Sequence, residues 1–169
     1  MSKAVMLSIR PQWCEKIASG KKTIEVRKTR PKLATPFKAY LYVTAGNLSY
    51  RCPNGMICHC NGGRAVIGEF TCDRIYELAP LNHAPDDVEQ QACLTWEEIV
   101  NYLKGTGYGW HISDLRIYDA PRELSEFERP YECNECDAKW ATECNACHEE
   151  GKIKRAPQSW CYVEAMDNG

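Results

Sequence analysis

Two short stretches near the amino end, Ser8-Ile9-Arg10-Pro11 and Gly20-Lys21-Lys22-Thr23-Ile24-Glu25-Val26-Arg27, decide how this chain is read. From Thr23 to Arg27 the residues alternate, which puts Ile24 and Val26 on one face of a short strand and Thr23, Glu25 and Arg27 on the other. The apolar face is expected in the core and the polar face outside it. Lys21, Lys22, Arg27, Lys28, Arg30 and Lys32 place six cations within twelve residues, relieved only by Glu25. A groove lined by such a strand attracts an anion such as a nucleic-acid backbone, whereas the same run on an open surface is simply solvated.

Working outward, Ala4 to Ile9 is apolar enough for a buried first strand. Pro11 suits the first turn of a helix, where its missing N–H would have had no partner. Trp13 and Ile17, with Cys14, recur at helical spacing through residues 12 to 19, and Gly20 can take the left-handed conformation that ends a helix. Trp13 is read as a packing residue of that helix. Phe37 to Thr44 and Ala65 to Ile75 read as strands, with Gly62-Gly63 as a turn before the second. Residues 77 to 98 carry six acids and no Lys or Arg, and are read as an acidic counterweight rather than part of a nucleic-acid surface. Thr95-Trp96-Glu97-Glu98 has the form of a capping box that opens a helix, with Ile99, Tyr102 and Leu103 on one face. Gly105, Gly107 and Gly109 break that helix. Ile112, Leu115 and Ile117 suggest a further strand, and Trp160 to Val163 a final one. Several short strands with one or two helices, and no βαβ repetition, point to a small mixed barrel of the α+β class.

At 169 residues the chain suits one domain with a small appendage. No run approaches the roughly 18 consecutive apolar residues of a membrane span, and the first eight residues lack the hydrophobic segment of a secretory signal. A cytoplasmic protein without membrane contact is therefore expected. The net charge of -2 conceals a polarity: residues 1 to 40 hold ten cations against two acids, and the other 129 hold eleven against twenty-one. Such sorting suggests a basic binding face on an acidic body.

The opening motifs, Ser-Ile-Arg-Pro followed by Gly-x-Lys-x-x-Glu-x-Arg, resemble the start of the ASCH family. The resemblance continues in Val66-Ile67-Gly68-Glu69-Phe70, in Gly107-Tyr108-Gly109-Trp110-His111-Ile112-Ser113-Asp114-Leu115, and in Pro157-Gln158-Ser159-Trp160-Cys161-Tyr162-Val163. It implies a PUA-like α+β barrel with flanking short helices, and recognition of RNA or a nucleotide-like ligand in a basic, aromatic groove. On this sequence the implied groove residues are Arg10, Lys22, Glu25 and Arg27, joined by Trp110, His111, Ser113 and Trp160. The cations would hold phosphate, Glu25 would orient or read a base, and Trp110 or Trp160 would stack on it. Some small relatives with this barrel resemble amidohydrolases of N4-acetylcytidine that use a lysine, a threonine and a glutamate. Here the lysine matches Lys22, but Glu25 occupies the threonine position and no glutamate maps onto the third role. Thr23 shares that strand face, yet it lies two residues, roughly 7 Å, away.

Eleven cysteines are many for a chain of this size. Cys133-x-x-Cys136 and Cys144-x-x-Cys147 form two knuckles seven residues apart, a spacing that lets four thiolates surround one Zn2+. Four sulfurs leave no open coordination position, so this zinc is expected to be structural. The expected organisation is a barrel over 1–125 and 153–166, with a zinc knuckle at 126–152 inserted between late strands. A second group, Cys52, Cys58, His59 and Cys60, has poor spacing for zinc and reads either as a metal site or as a Gly-rich hairpin with spare thiols. Cys14, Cys72, Cys93 and Cys161 sit among apolar neighbours and read as small hydrophobes.

Overall fold

The computed structural model describes residues 2–130 and 151–166. In chain order the elements are β1 (Lys3–Ile9), α1 (Pro11–Ala18), β2 (Ile24–Arg27), β3 (Phe37–Val43), β4 (Leu48–Arg51), β5 (Ile57–Cys60), β6 (Ala65–Cys72), β7 (Ile75–Ala79), α2 (Val88–Ala92), α3 (Trp96–Leu103), β8 (Gly107–His111), β9 (Ser113–Arg122) and β10 (Trp160–Glu164). The fold is mixed α+β, mostly strands with a few short helices. The expected starts and stops of the two longer helices hold: Pro11 opens α1, Gly20 beyond its end has φ +76°, and Thr95 and Glu98 close a reciprocal capping box on α3.

The strands form a five-stranded sheet in the order β10-β1-β3-β6-β9, a three-stranded sheet β2-β8-β7, and the hairpin β4-β5. Among the described residues only β1 and β3 pair in parallel, and the crossover between them contains α1 and β2. Among the described residues the strand pairings form these three separate sheets, without the closed ring expected of a barrel. At two junctions of only one or two residues the chain passes directly from one sheet into another. Asp73 and Arg74 split the single strand expected from Ala65 to Ile75 into β6 and β7. Ile112 separates β8 from β9, and its N–H leaves both ladders to donate to Thr23 O at 2.8 Å. The glycines at 107 and 109 sit within β8 rather than in a loop, where Gly109 lets Ile24 and Leu78 pack close to the backbone.

Apolar residues of β1 are buried on both faces. Val5, Leu7 and Ile9 join the main core with Leu41, Ile67 and Trp110, while Ala4 and Met6 join a second core with Tyr40, Phe127 and Ile153. A third cluster lies beneath the three-stranded sheet, where Ile24, Val26 and Leu78 meet Val88, Ala92, Ile99 and Leu103. The alternation of β2 thus does what its sequence predicts for Ile24 and Val26.

The expected zinc knuckle at 126–152 is described only at its two ends, which meet. Ile153 N donates to Phe127 O at 3.0 Å, and Arg129 N donates to Gly151 O at 2.9 Å. Cys133, Cys136, Cys144 and Cys147 lie outside the described residues. In the second cysteine group, Cys52 and Cys58 are joined as a disulfide, His59 Nδ1 lies 2.9 Å from Ser49 Oγ, and Cys60 is buried. Among the described residues no three His, Cys, Asp or Glu side chains are grouped to hold a metal ion. The helices described include none long and apolar enough to cross a membrane.

Candidate functional site

The polar face of β2 was expected to lie outside the core, and the structure corrects this: Lys22, Glu25 and Arg27 are 2%, 7% and 7% exposed. They tolerate burial because each charge has partners. Lys22 Nζ lies 3.4 Å from Glu25 Oε2 and donates to Ala92 O at 2.6 Å. Arg27 approaches the other carboxylate oxygen, Oε1, through Nε at 3.1 Å and Nη2 at 3.0 Å. Nη2 also donates to Ser8 O at 2.8 Å, and Nη1 reaches Ser159 Oγ at 3.2 Å. Two cations thus share one carboxylate, leaving the trio with an excess of one positive charge. Ala92 ends α2, so its carbonyl is one of those that a helix terminus leaves for an outside donor.

This trio floors a cleft of about 550 Å³, within the roughly 300–1,000 Å³ range typical of ligand pockets. Ser8, Ile9, Arg10 and Trp13 line it where β1 passes into α1, and Leu94, Glu98 and Tyr102 line it from the opposite segment. Gln158 is held at its edge because the neighbouring chain is tied to β1: Ser8 Oγ donates to Pro157 O at 2.6 Å, and Ser8 N to Ser159 O at 2.9 Å. Arg10 is exposed and Trp13 half-buried. The ammonium groups of Lys16 and Lys22 lie 4.9 Å and 5.1 Å from the Trp13 ring centroid, within cation–π range.

Of the residues expected in the groove, Arg10, Lys22, Glu25 and Arg27 meet in this cleft, whereas Trp110, His111, Ser113 and Trp160 are not among its lining residues. Trp110 is fully buried. It stands opposite Glu25 in the β2-β8 ladder and packs edge-on against Phe37 at 5.7 Å, so it offers no stacking face. Trp160 packs 6.1 Å from Trp110 and donates its Nε1–H to Thr29 Oγ1 at 2.9 Å. His111 Nδ1 pairs with Asp73 Oδ1 at 2.6 Å, and Ser113 Oγ donates to Thr71 O at 2.9 Å. Both oxygens of Glu25 are engaged by cations, which makes it a counter-ion rather than a free reader of bases. Thr23 Oγ1 bonds to Gln91 Oε1 at 3.2 Å and does not line the cleft.

Sequence reasoning missed Trp13, Leu94, Glu98, Tyr102 and Gln158. Tyr102 was placed on one helix face with Ile99 and Leu103; of these, Ile99 and Leu103 are buried and Tyr102 is 46% exposed. Residues 77 to 98, read as an acidic counterweight rather than part of a nucleic-acid surface, supply the cleft residues Leu94 and Glu98 and the Ala92 carbonyl. Glu98 brings a negative charge to the cleft wall, solvated but not neutralised, as its Oε2 accepts from Thr95 N at 2.8 Å in the capping box.

Burial holds the pKa of Lys22 below its ordinary 10.5, with Glu25 pulling the other way. Between the lowered value and 10.5 the unfolded chain binds a proton that the native one has lost, so the Lys22 contribution to stability rises with pH across that window. The cleft loses one positive charge over the same window. Anion affinity is expected to fall there in the native protein and to lose this dependence in Lys22→Met, as read from titrations at several pH values.

The mixed α+β fold is that of PUA-like proteins, and its cleft is lined by charged, aromatic and apolar side chains. The chain belongs to the ASCH domain family, whose model matches residues 7–106, and that family is generally linked to RNA binding. Among solved structures it resembles ASCH from Zymomonas mobilis at 18% identity, with 95% of this chain and 87% of that one covered and a TM-score of 0.56. Two mutant forms of that protein also match at 18% identity. One covers 96% of this chain and 91% of that one at a TM-score of 0.57, and the other 95% and 88% at 0.59. No curated protein matches the chain.

Proposed function

We propose that the cleft recognises a single unpaired nucleotide, either within RNA or as a modified base. Arg10 meets the phosphate over the net-positive floor of Lys22, Glu25 and Arg27, and Trp13 and Tyr102 provide aromatic surface for the base. The observation that carries this reading is the pairing of Lys22 and Arg27 through one carboxylate beneath a half-buried tryptophan and an exposed arginine. An anion entering the site meets one excess positive charge already desolvated and held in place. Base stacking on an aromatic side chain contributes about 1–3 kcal/mol.

The size of an affinity loss on replacing Lys22 or Arg27 does not isolate ligand contact, because each side chain also supports the fold. Arg10→Ala and Trp13→Ala change the more accessible groups. Trp13→Ala is expected to weaken cytidine or uridine monophosphate binding roughly 5- to 150-fold, the range that 1–3 kcal/mol spans. Arg10→Ala should weaken the monophosphate more than the uncharged nucleoside. Calorimetric titration showing unchanged affinity in both variants excludes the reading.

Hydrolysis of an acylated nucleoside is a second reading, favoured by the buried lysine of lowered pKa beside a carboxylate. Lys22 would take a proton from water, since neither Glu25 nor Thr23 supplies a hydroxyl nucleophile in the cleft. Incubation with N4-acetylcytidine and related acylated cytidines, followed by chromatography, discriminates: no deacylation removes this reading and leaves the first intact. We also propose a structural zinc on Cys133, Cys136, Cys144 and Cys147, supported by four thiolate donors at knuckle spacing. Metal analysis of purified protein should find about one zinc per chain.

A further inference from the structure

The cleft does not end the basic surface, because the chain leaving it carries three more cations in the open. Arg27 lies in the cleft; Lys28, Arg30 and Lys32, the alternate residues that follow, are all exposed. Among the described residues none of the three has a salt bridge, and no acid occurs between Glu25 and Glu69 to neutralise them locally. This run is more than a solvated loop, for its backbone and side chains are held. Trp160 Nε1 donates to Thr29 Oγ1 at 2.9 Å, and Lys32 N donates to the Tyr162 hydroxyl at 2.8 Å. Pro31 between them is buried. The cations are also set against aromatic rings: Lys28 Nζ is 5.3 Å from the centroid of Tyr102, itself a cleft residue, and the Arg30 guanidinium is 6.0 Å from that of Tyr108.

From this continuity we infer that the cleft's nucleotide is one residue of a longer single strand, whose adjoining phosphates follow the Lys28–Lys32 loop. The inference rests on the nucleotide reading of the cleft and extends it from a small ligand to a polymer. Lys28 and Arg30 lie against different rings, Tyr102 and Tyr108, so the cations are spread along the loop rather than gathered in one cluster. A succession of exposed cations leading away from the cleft suits a flexible polyanion whose charges recur along its backbone. Ordering the loop in the free protein also lowers the entropy lost when the strand is bound.

The test compares cytidine monophosphate with a single-stranded RNA of about eight nucleotides, over a salt series, on native protein and Arg30→Gln/Lys32→Gln. Neither residue lines the cleft, so monophosphate binding should not change. For the RNA, loss of two phosphate contacts should lower the slope of log affinity against log salt by about 1.4. Arg30→Lys/Lys32→Arg keeps both charges and should restore the slope. The inference is overturned if the RNA binds no tighter than the monophosphate, or if its slope is the same in the charge-removing variant. Charge-dependent binding to phosphatidylserine vesicles without binding to the RNA would also overturn it. If instead the RNA slope falls as expected but Arg10→Ala and Trp13→Ala leave monophosphate binding untouched, the cleft reading is what has failed.

Discussion

Glu25→Ala is expected to lower the unfolding free energy by about 3–5 kcal/mol, the usual cost of removing one partner from a buried ion pair. The reason is what remains: an ammonium and a guanidinium, both nearly inaccessible to water, facing each other without their shared carboxylate. Lys22 would retain the Ala92 carbonyl, and Arg27 would retain Ser8 O and Ser159. These contacts solvate the charges but do not neutralise them. For a chain of this length the loss corresponds to a fall in melting temperature of roughly 6–20 °C. Glu25→Gln keeps two polar atoms in place and should lose less. Adding Lys22→Met to Glu25→Ala should recover part of the loss, because one orphaned charge is then gone. Chemical denaturation giving Glu25→Ala within about 1 kcal/mol of the native protein would refute the account of the trio as a paired, desolvated group.

The second large effect separates two tryptophans that look alike in the sequence. Trp110→Ala should cost about 3–5 kcal/mol, as expected for truncating a large aromatic in a packed core. Its ring meets Phe37 edge-on and lies near Trp160, so the cavity would open at the centre of the main core. Trp110→Phe should cost less, since the indole Nε1 has no hydrogen-bond acceptor among the described residues and most ring contacts survive. Trp13→Ala should show the reverse pattern, with a smaller change in stability and the larger one in nucleotide affinity. Denaturation curves and titrations on the two alanine variants decide the matter. A loss of affinity in folded Trp110→Ala, with none in Trp13→Ala, would return the stacking role to the residue in the core.

How far the sequence could be read depended on the range of the interactions involved. Pro11, Gly20, Thr95 and Glu98 punctuate helices through contacts within a few residues, and those features were legible. The Ile24 and Val26 alternation announced a half-apolar strand, and β1, β3 and β10 were found close to their observed bounds. By contrast, β8 was read as a break because of its glycines, and β7 was merged with β6. Nothing local states that a strand leaves one sheet for another at Asp73 or Ile112.

The candidate site divided in the same way. Arg10, Lys22, Glu25 and Arg27 were legible because they lie in or beside the motif that first drew notice. Trp13 was assigned to packing, and Tyr102 grouped with Ile99 and Leu103, because residues at the edge of an apolar helix face show the same spacing as those at its centre. Whether such a ring is covered depends on the neighbour across from it, and local sequence carries no such information.

By itself, then, the order of residues determined an α+β chain, a cationic opening strand and the ends of two helices, which follow from local pattern and composition, while the family followed from the resemblance of its motifs. Tertiary structure alone decided that Lys22, Glu25 and Arg27 are a buried trio, that an acid-rich segment walls their cleft, and that Trp110 is core while Trp13 faces the cleft. The physical reason is that burial and pairing of charge depend on which distant backbone arrives opposite. Ala92 O reaches Lys22 across 70 residues, and Ser159 reaches Arg27 across 132.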